Sequence, residues 1–267
     1  MRRRLGLSRI FLPAKGREKE PKIAELKVID LRRFDGKEWS PYGGDLPKTP
    51  LLKDLGDRTA AFVAILFLLP LYAVTALAIR LTSRGPIVYR QVRIGQNRRT
   101  SRRPGGRPSA YYDVYDRRSL DLPGRPFIIY KFRTMVDRAE EASGPMWARE
   151  NDPRITVFGR LLRRLRIDET PQFFNVLKGD MSLVGPRPER PTFVRDLIEE
   201  IPEYAIRLRV KPGITGLAQV EHRYDTCLED VRTKLRYDLA YIRNLSLWND
   251  FKICCRTVSV VITARGQ

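Results

Sequence analysis

Two adjacent carboxylates, Asp168 and Glu169, stand directly behind four arginines, Arg160, Arg163, Arg164 and Arg166. Thr170-Pro171 follows and reads as a helix start, since proline at the first helical position loses no hydrogen bond. The helix expected over residues 171–178 stops at Gly179, the residue that best tolerates a left-handed cap. The acidic pair therefore sits at a helix N-terminus among cations, where anions bind well. Further on, Gly185-Pro186-Arg187-Pro188 holds an arginine between two prolines, and such a stiff turn suits bidentate phosphate recognition. Upstream, a strand expected over residues 127–135 delivers Lys131 and Arg133 from one face. These types in this order fit transfer at a phosphate: a carboxylate nucleophile, cations around a diphosphate, and Mg²⁺ held by carboxylates and substrate phosphates. Taken singly they are bland, because arginine runs are usually solvated faces and Asp-Glu before Thr-Pro is often only a helix cap.

The elements that must position these residues are legible in part. Residues 87–95 alternate as a strand does, and residues 127–135 read as its returning partner. Val157, Phe158, Leu161, Leu162 and Leu165 have helical spacing over residues 156–166, with arginines on several faces, as a helix lying on phosphate headgroups would tolerate. Residues 190–209 form a helix-rich piece broken at Pro202, Lys211-Pro212-Gly213 a turn, and residues 217–220 a short strand. Residues 232–261 hold two helices divided near 244–246, whose Trp248, Phe251, Ile253 and Val258 supply apolar surface.

Residues 60–79 carry no charge, and twenty residues at about 1.5 Å each make roughly 30 Å, one membrane crossing. Two details argue for a re-entrant hairpin instead. Pro70 breaks the run in its middle. Lys53 and Arg58 precede it while Arg80, Arg84, Arg90 and Arg93 follow, so both ends prefer the cytoplasm. The expected organisation is a basic, loosely ordered arm over residues 1–50, with room for a short strand at 23–34, a membrane-embedded helix–break–helix over 55–84, and a catalytic domain over 85–267. Within that domain, residues 98–125 form an inserted basic loop with eight arginines against three aspartates. Tyr111, Tyr112 and Tyr115 interleave with its charge, but no stacking-sheet motif accompanies them, so a solvated or lipid-surface loop is preferred to nucleic-acid binding.

The 267 residues carry 51 Lys and Arg against 31 Asp and Glu, formally +20, which calls for polyanionic partners. Three cysteines, Cys227, Cys254 and Cys255, form no CxxC pair and suit a reducing compartment. The single histidine, His222, excludes a histidine-rich metal centre.

Longer runs make the pattern specific. Lys131-Phe132-Arg133-Thr134-Met135, Asp152-Pro153-Arg154-Ile155-Thr156, Gly159-Arg160, Asp168-Glu169, Pro171-Gln172, the ungapped stretch from Asn175 through Pro188, and Lys211-Pro212-Gly213-Ile214-Thr215-Gly216 together resemble the bacterial sugar transferases, the monotopic polyprenyl-phosphate phosphoglycosyl transferases. The similarity runs from about residue 55 to the C-terminus. It implies an α+β fold, a small mixed helical domain with a short sheet, anchored by a Pro-broken re-entrant membrane helix. It implies Asp168 as nucleophile towards a UDP-sugar with release of UMP, undecaprenyl phosphate as acceptor, and Glu169 in Mg²⁺ binding or activation of the lipid phosphate. Arg163 and Arg187 match phosphate- or nucleotide-contacting positions, and Pro188, Lys131 and Arg133 complete the expected binding set. The cytoplasmic face of a bacterial inner membrane, anionic lipids around the anchor and a homodimer are further expectations. Three departures stand out: Leu69 replaces the family's serine before Pro70, the 98–125 loop replaces a short turn, and Glu221-His222 replaces Asn-Gly, so the sugar cannot be borrowed. The competing class is a non-catalytic, membrane-tethered polyanion-binding protein, which explains charge and anchor but not the acidic pair.

Overall fold

The computed structural model describes residues 51–97, 124–137, 139, 152–221 and 228–262. The arm over 1–50, nearly all of the 98–125 loop, His222 and Cys227 lie outside them. The described residues begin with α1, Leu51–Thr82, a helix of 32 residues and thus about 48 Å. It is continuous through Pro70, so the break expected there is not an interruption of the helix. Proline removes one N–H and crowds the preceding turn, but the flanking run of good helix formers carries the helix past that defect. The Thr82 and Ser83 hydroxyls bond back to the carbonyls of Ala78 and Ile79 and finish the helix.

β1 (Val88–Ile94) and β2 (Pro126–Phe132) form an antiparallel pair with Val88 opposite Phe132 and Ile94 opposite Pro126. β2 ends three residues before the expected Met135, which instead makes an isolated bridge with Ile155. α2 (Val157–Arg164) starts where the Thr156 hydroxyl accepts from Gly159 N at 2.9 Å. Val157 and Leu161, with Leu165 at the C-cap, lie exposed beside Arg160 and Arg164, so arginines share the exposed side with apolar side chains. A 3₁₀ turn, Ile167–Glu169, leads into α3 (Gln172–Lys178), closed by Gly179 at φ +81° as expected.

The second sheet pairs β3 (Ser182–Val184) with β4 (Gly213–Thr215) in parallel. Between them run α4 (Pro191–Glu200) and a 3₁₀ segment, Pro202–Arg209, divided where Pro202 was expected to divide them. Neither short strand is expected from the sequence, and the strand expected at 217–220 is a helix, α5 (Leu217–Glu221). The amides of Gln219 and Val220 both turn back to the Gly216 carbonyl, and five apolar-rich residues cannot reveal that period. The strand falls earlier because Gly213 and Gly185 press backbone on backbone, leaving no room for a Cβ at either. α6 (Leu228–Arg243) and α7 (Leu247–Ile262) complete the chain, separated where the sequence divides them.

The largest apolar cluster joins α4, the 3₁₀ segment, α6 and α7 around Val194, Ile206, Tyr241 and Ile253. Two smaller clusters take in α1: Ala61 with Phe127, Val176 and Met181, and Ile79 with Phe132 and Leu162. At its start α1 is also held by polar groups. Lys53, 2% exposed, pairs with Asp250 at 2.5 Å and Asp57 at 3.3 Å. Asp54 accepts from Lys211 at 2.6 Å, and Asp57 from the Ser182 hydroxyl at 2.6 Å. Lys53 is therefore no free headgroup-facing charge. Beyond this packed stripe α1 exposes Phe62, Leu66, Phe67, Leu69, Val74, Leu77 and Leu81. The result is an α+β body bound to one side of a long apolar helix.

Candidate active site

The acidic pair is delivered by a strained turn. Arg166 is the one non-glycine residue with positive φ (57°) among the described residues, a conformation that costs roughly 1–2 kcal/mol in an L-residue. From it the chain folds into the 3₁₀ turn, with Glu169 N donating to Arg166 O and Thr170 N to Ile167 O. The Thr170 carbonyl is in turn held by the Tyr72 hydroxyl of α1 at 2.9 Å. The Tyr72 ring meets Phe132 edge-on at 5.4 Å, so it is fixed before it donates.

Within this frame the two carboxylates differ sharply. Glu169 Oε1 accepts from Lys131 Nζ at 2.7 Å and from Arg187 Nη2 at 2.8 Å. Burial opposes its charge, but Arg187 and Lys131 more than offset that and hold its carboxyl well below the usual carboxylate range. Conversely, the charge of Glu169 pushes the Arg187 pKa up, whereas burial pulls that of Lys131 down against the same attraction. Asp168 is 7% exposed, and among the described residues no hydrogen bond or ion pair ends on its carboxylate. Burial first, then the neighbouring Glu169 charge, push its pKa up to about 6, against the pull of Lys131, Arg163 and Arg166. Such an unbonded, partly dehydrated carboxylate is a candidate nucleophile.

The other expected site residues fall at increasing remove. Arg163 lends its charge to Asp168 while its Nε donates to the Thr134 hydroxyl at 2.9 Å. Pro188 sets the Arg187 turn and offers its carbonyl to Arg93 at 3.1 Å. Arg133 is not brought to the pair. Its Nη2 donates to the carbonyl and hydroxyl of Ser83, both at 2.8 Å, at the end of α1, and Nε and Nη1 are buried without a hydrogen-bond partner among the described residues. A lone strand pattern places Lys131 and Arg133 on one face, but β2 ends between them and the chain turns away. Pro70 lies two residues before Tyr72, and Tyr72 is the α1 contact to the site that sequence reasoning missed, because a tyrosine inside an apolar run carries no signal of its partner.

For Mg²⁺ the donor chemistry fits. Both cations reach Glu169 through Oε1, so Oε2 and the Asp168 carboxylate remain as hard oxygen donors, and Mg²⁺ is commonly held by one or two carboxylates plus substrate phosphates. Among the described residues no group of three or more His, Cys, Asp or Glu gathers to hold a metal on its own.

Comparison with known proteins matches residues 48–102 and 112–264 to the bacterial sugar transferase family model. A UDP-N-acetylgalactosamine-undecaprenyl-phosphate N-acetylgalactosaminephosphotransferase of Aeromonas hydrophila is 42% identical over 210 residues, 79% of this chain and 43% of that protein. A UDP-glucose:undecaprenyl-phosphate glucose-1-phosphate transferase of Caulobacter vibrioides is 40% identical over 225 residues, 83% of this chain and 74% of that protein. One of the same name from Escherichia coli (strain K12) is 38% identical over 210 residues, 78% of this chain and 39% of that protein. The chain thus spans less than half the length of the Aeromonas and Escherichia relatives. Relatives at nearly equal identity are named for different sugars.

Proposed function

The chain belongs to the bacterial sugar transferase family, and from that premise we propose that it moves a phospho-sugar from a UDP-sugar to undecaprenyl phosphate through a covalent Asp168 intermediate. The observation that carries this reading is the contrast within the acidic pair: Glu169 is clamped by two cations, whereas the Asp168 carboxylate is buried and unbonded among the described residues.

In the first half-reaction an Asp168 carboxylate oxygen forms a bond to the β-phosphorus of the UDP-sugar. The bond from that phosphorus to the bridging oxygen breaks, and the electron pair leaves with UMP. Arg187 and Lys131 sit where the diphosphate charge must be met, held in place by Glu169, and Arg163 adds its charge from the next layer. Asp168 and Glu169 would hold Mg²⁺ together with the diphosphate, and the ion would supply neutralisation of the leaving phosphate. In the second half-reaction a phosphate oxygen of the lipid attacks the acyl phosphate, and its bond to Asp168 breaks to restore the carboxylate. As pH falls through about 6 Asp168 takes up a proton and attack slows. Incubation with a panel of UDP-sugars in the absence of lipid should add one phospho-sugar mass to the peptide holding Asp168 and release UMP. No adduct with any sugar, or an adduct that survives Asp168→Asn, overturns the mechanism.

The membrane reading follows from the contacts of α1. Its start is bound to Asp250, Lys211 and Ser182, its middle to Thr170, and its end to Phe132 and Leu162, all in one body. A helix that left that body on the far side of a bilayer could not make both sets of contacts. This supports a helix that enters and leaves on the cytoplasmic face, with its apolar outer side in one leaflet of the inner membrane. After replacement of Cys227, Cys254 and Cys255 by serine, Ser40→Cys should label from the cytoplasm; periplasmic labelling overturns the re-entrant reading.

A further inference from the structure

Arg187 reaches Glu169 from a turn that cannot hold itself by ordinary means. Pro186 and Pro188 have no N–H, so the turn is fixed chiefly through its carbonyls. Four consecutive ones are taken. Pro186 O accepts from Gly213 N at 3.0 Å, Arg187 O from Arg207 Nη2 at 2.9 Å, Pro188 O from Arg93 Nη1 at 3.1 Å, and Glu189 O from Ile94 N at 3.0 Å. The outer two donors are backbone amides of β4 and β1. The inner two are guanidinium groups, and they grip the carbonyl of Arg187 itself and that of the residue after it.

Both arginines are themselves anchored by carboxylates. Arg207 is 3% exposed, pairs with the equally buried Asp238 at 2.8 Å, and lies 4.7 Å from the centre of the Tyr204 ring while bonding its hydroxyl. Arg93 meets Glu189 Oε2 at 3.3 Å, and Glu189 Oε1 takes Lys234 at 3.4 Å from α6. An arginine at least partly buried, supported on one side by a carboxylate and giving a donor to a neighbour's backbone, is a geometric device, since replacing such an ion pair by apolar groups is often neutral for stability. The fork shape of guanidinium, which lysine lacks, is what allows one group to face a carboxylate and a carbonyl together.

We propose that Arg207 and Arg93 are positioning residues for the transfer reaction, holding the Pro186–Glu189 turn by its carbonyls so that the Arg187 guanidinium stays locked on Glu169. Neither touches the acidic pair; each acts through Arg187. The proposal rests on the function proposed above.

The test is a double-mutant cycle between Arg207→Lys and Arg187→Lys, read as kcat and KM for UDP-sugar-dependent UMP release with undecaprenyl phosphate present. In the natural background Arg207→Lys should lower kcat about tenfold with little change in KM, as small misplacements of a transition-state contact do. In the Arg187→Lys background the same change should cost less than about twofold, because the group being positioned is gone. Equal losses in both backgrounds, a pure KM effect, or full activity of Arg187→Lys overturns the proposal. If Arg207→Lys does not fold, Arg93→Lys enters the same cycle with the same expected and overturning outcomes. Failure of the natural protein to release UMP sinks the functional reading, whereas an additive cycle on an active protein sinks only the positioning role.

Discussion

Two buried charge clusters in this protein are near mirror images. At the start of α1 a cation, Lys53, lies between two carboxylates, Asp57 and Asp250. At the turn before α3 a carboxylate, Glu169, lies between two cations, Lys131 and Arg187. Burial raises the pKa of one carboxyl in each, Asp250 against the pull of Lys53 and Asp168 with the push of Glu169. The clusters part company in how completely they are satisfied. Asp250 spends its second oxygen on the Tyr241 hydroxyl at 2.8 Å, and Asp57 receives Ser182. Asp168 receives no such bond among the described residues. Burial and a raised pKa are therefore common to a latch and the candidate site, and the unspent carboxylate separates them.

That difference predicts opposite signs for the same chemical change. Asp250→Asn should destabilise the protein by about 3 kcal/mol, since it leaves Lys53 buried with Asp57 as its one remaining counter-charge. An effect of similar size and the other sign is expected at the proposed active turn. Asp168→Asn should abolish UMP release yet stabilise the protein at pH 7 by about 3 kcal/mol. The sign follows from linkage. Asp168 titrates near 6 in the folded chain and near 3.8 unfolded, so between those values the folded state binds more protons and stability falls as pH rises. The gain from Asp168→Asn should therefore be complete above pH about 6 and vanish near pH 4. Denaturant unfolding of the natural protein and both variants at pH 4 and pH 7 checks the contrast; a loss at both sites would mean that Asp168 is as fully satisfied as Asp250.

The sequence carried the active turn better than its supports. Asp168-Glu169, Thr170-Pro171, Gly179 and the Pro-Arg-Pro turn are local signals, and the structure places the helix, its glycine cap and the Lys131–Glu169–Arg187 cluster together. Long apolar α1 was equally legible, because its signal is composition. What stayed hidden depends on contacts across the chain. Lys53 counted as a flanking charge, although it is sealed against a residue 197 positions away. Arg133 shares the strand alternation of Lys131, but the end of β2 sends it to the last turn of α1. The β3–β4 pair is three residues long on each side, too short for any period, and exists because two glycine backbones meet.

The smallest expected effect concerns the direct bond between α1 and the turn of the acidic pair. Tyr72 donates to Thr170 O, the carbonyl immediately after the acidic pair, while its ring rests against Phe132 and Phe174. Tyr72→Phe keeps the ring packing and deletes only the hydroxyl, so folding should lose about 1 kcal/mol or less. If α1 is solely an anchor, turnover of the variant should match the natural protein at temperatures where both are folded. If α1 also steadies the catalytic turn, kcat should fall a few-fold with KM for the UDP-sugar unchanged, because the bond acts on the placement of Asp168 and not on a substrate contact. Measurement in detergent and in bilayer discs of the same lipid sharpens the distinction. A kcat loss that is larger in detergent would show the membrane holding α1 in place when the hydroxyl no longer does. Equal kcat for both proteins in both settings would return Tyr72 to the same class as the α1 latch, a group that binds the helix and leaves the chemistry untouched.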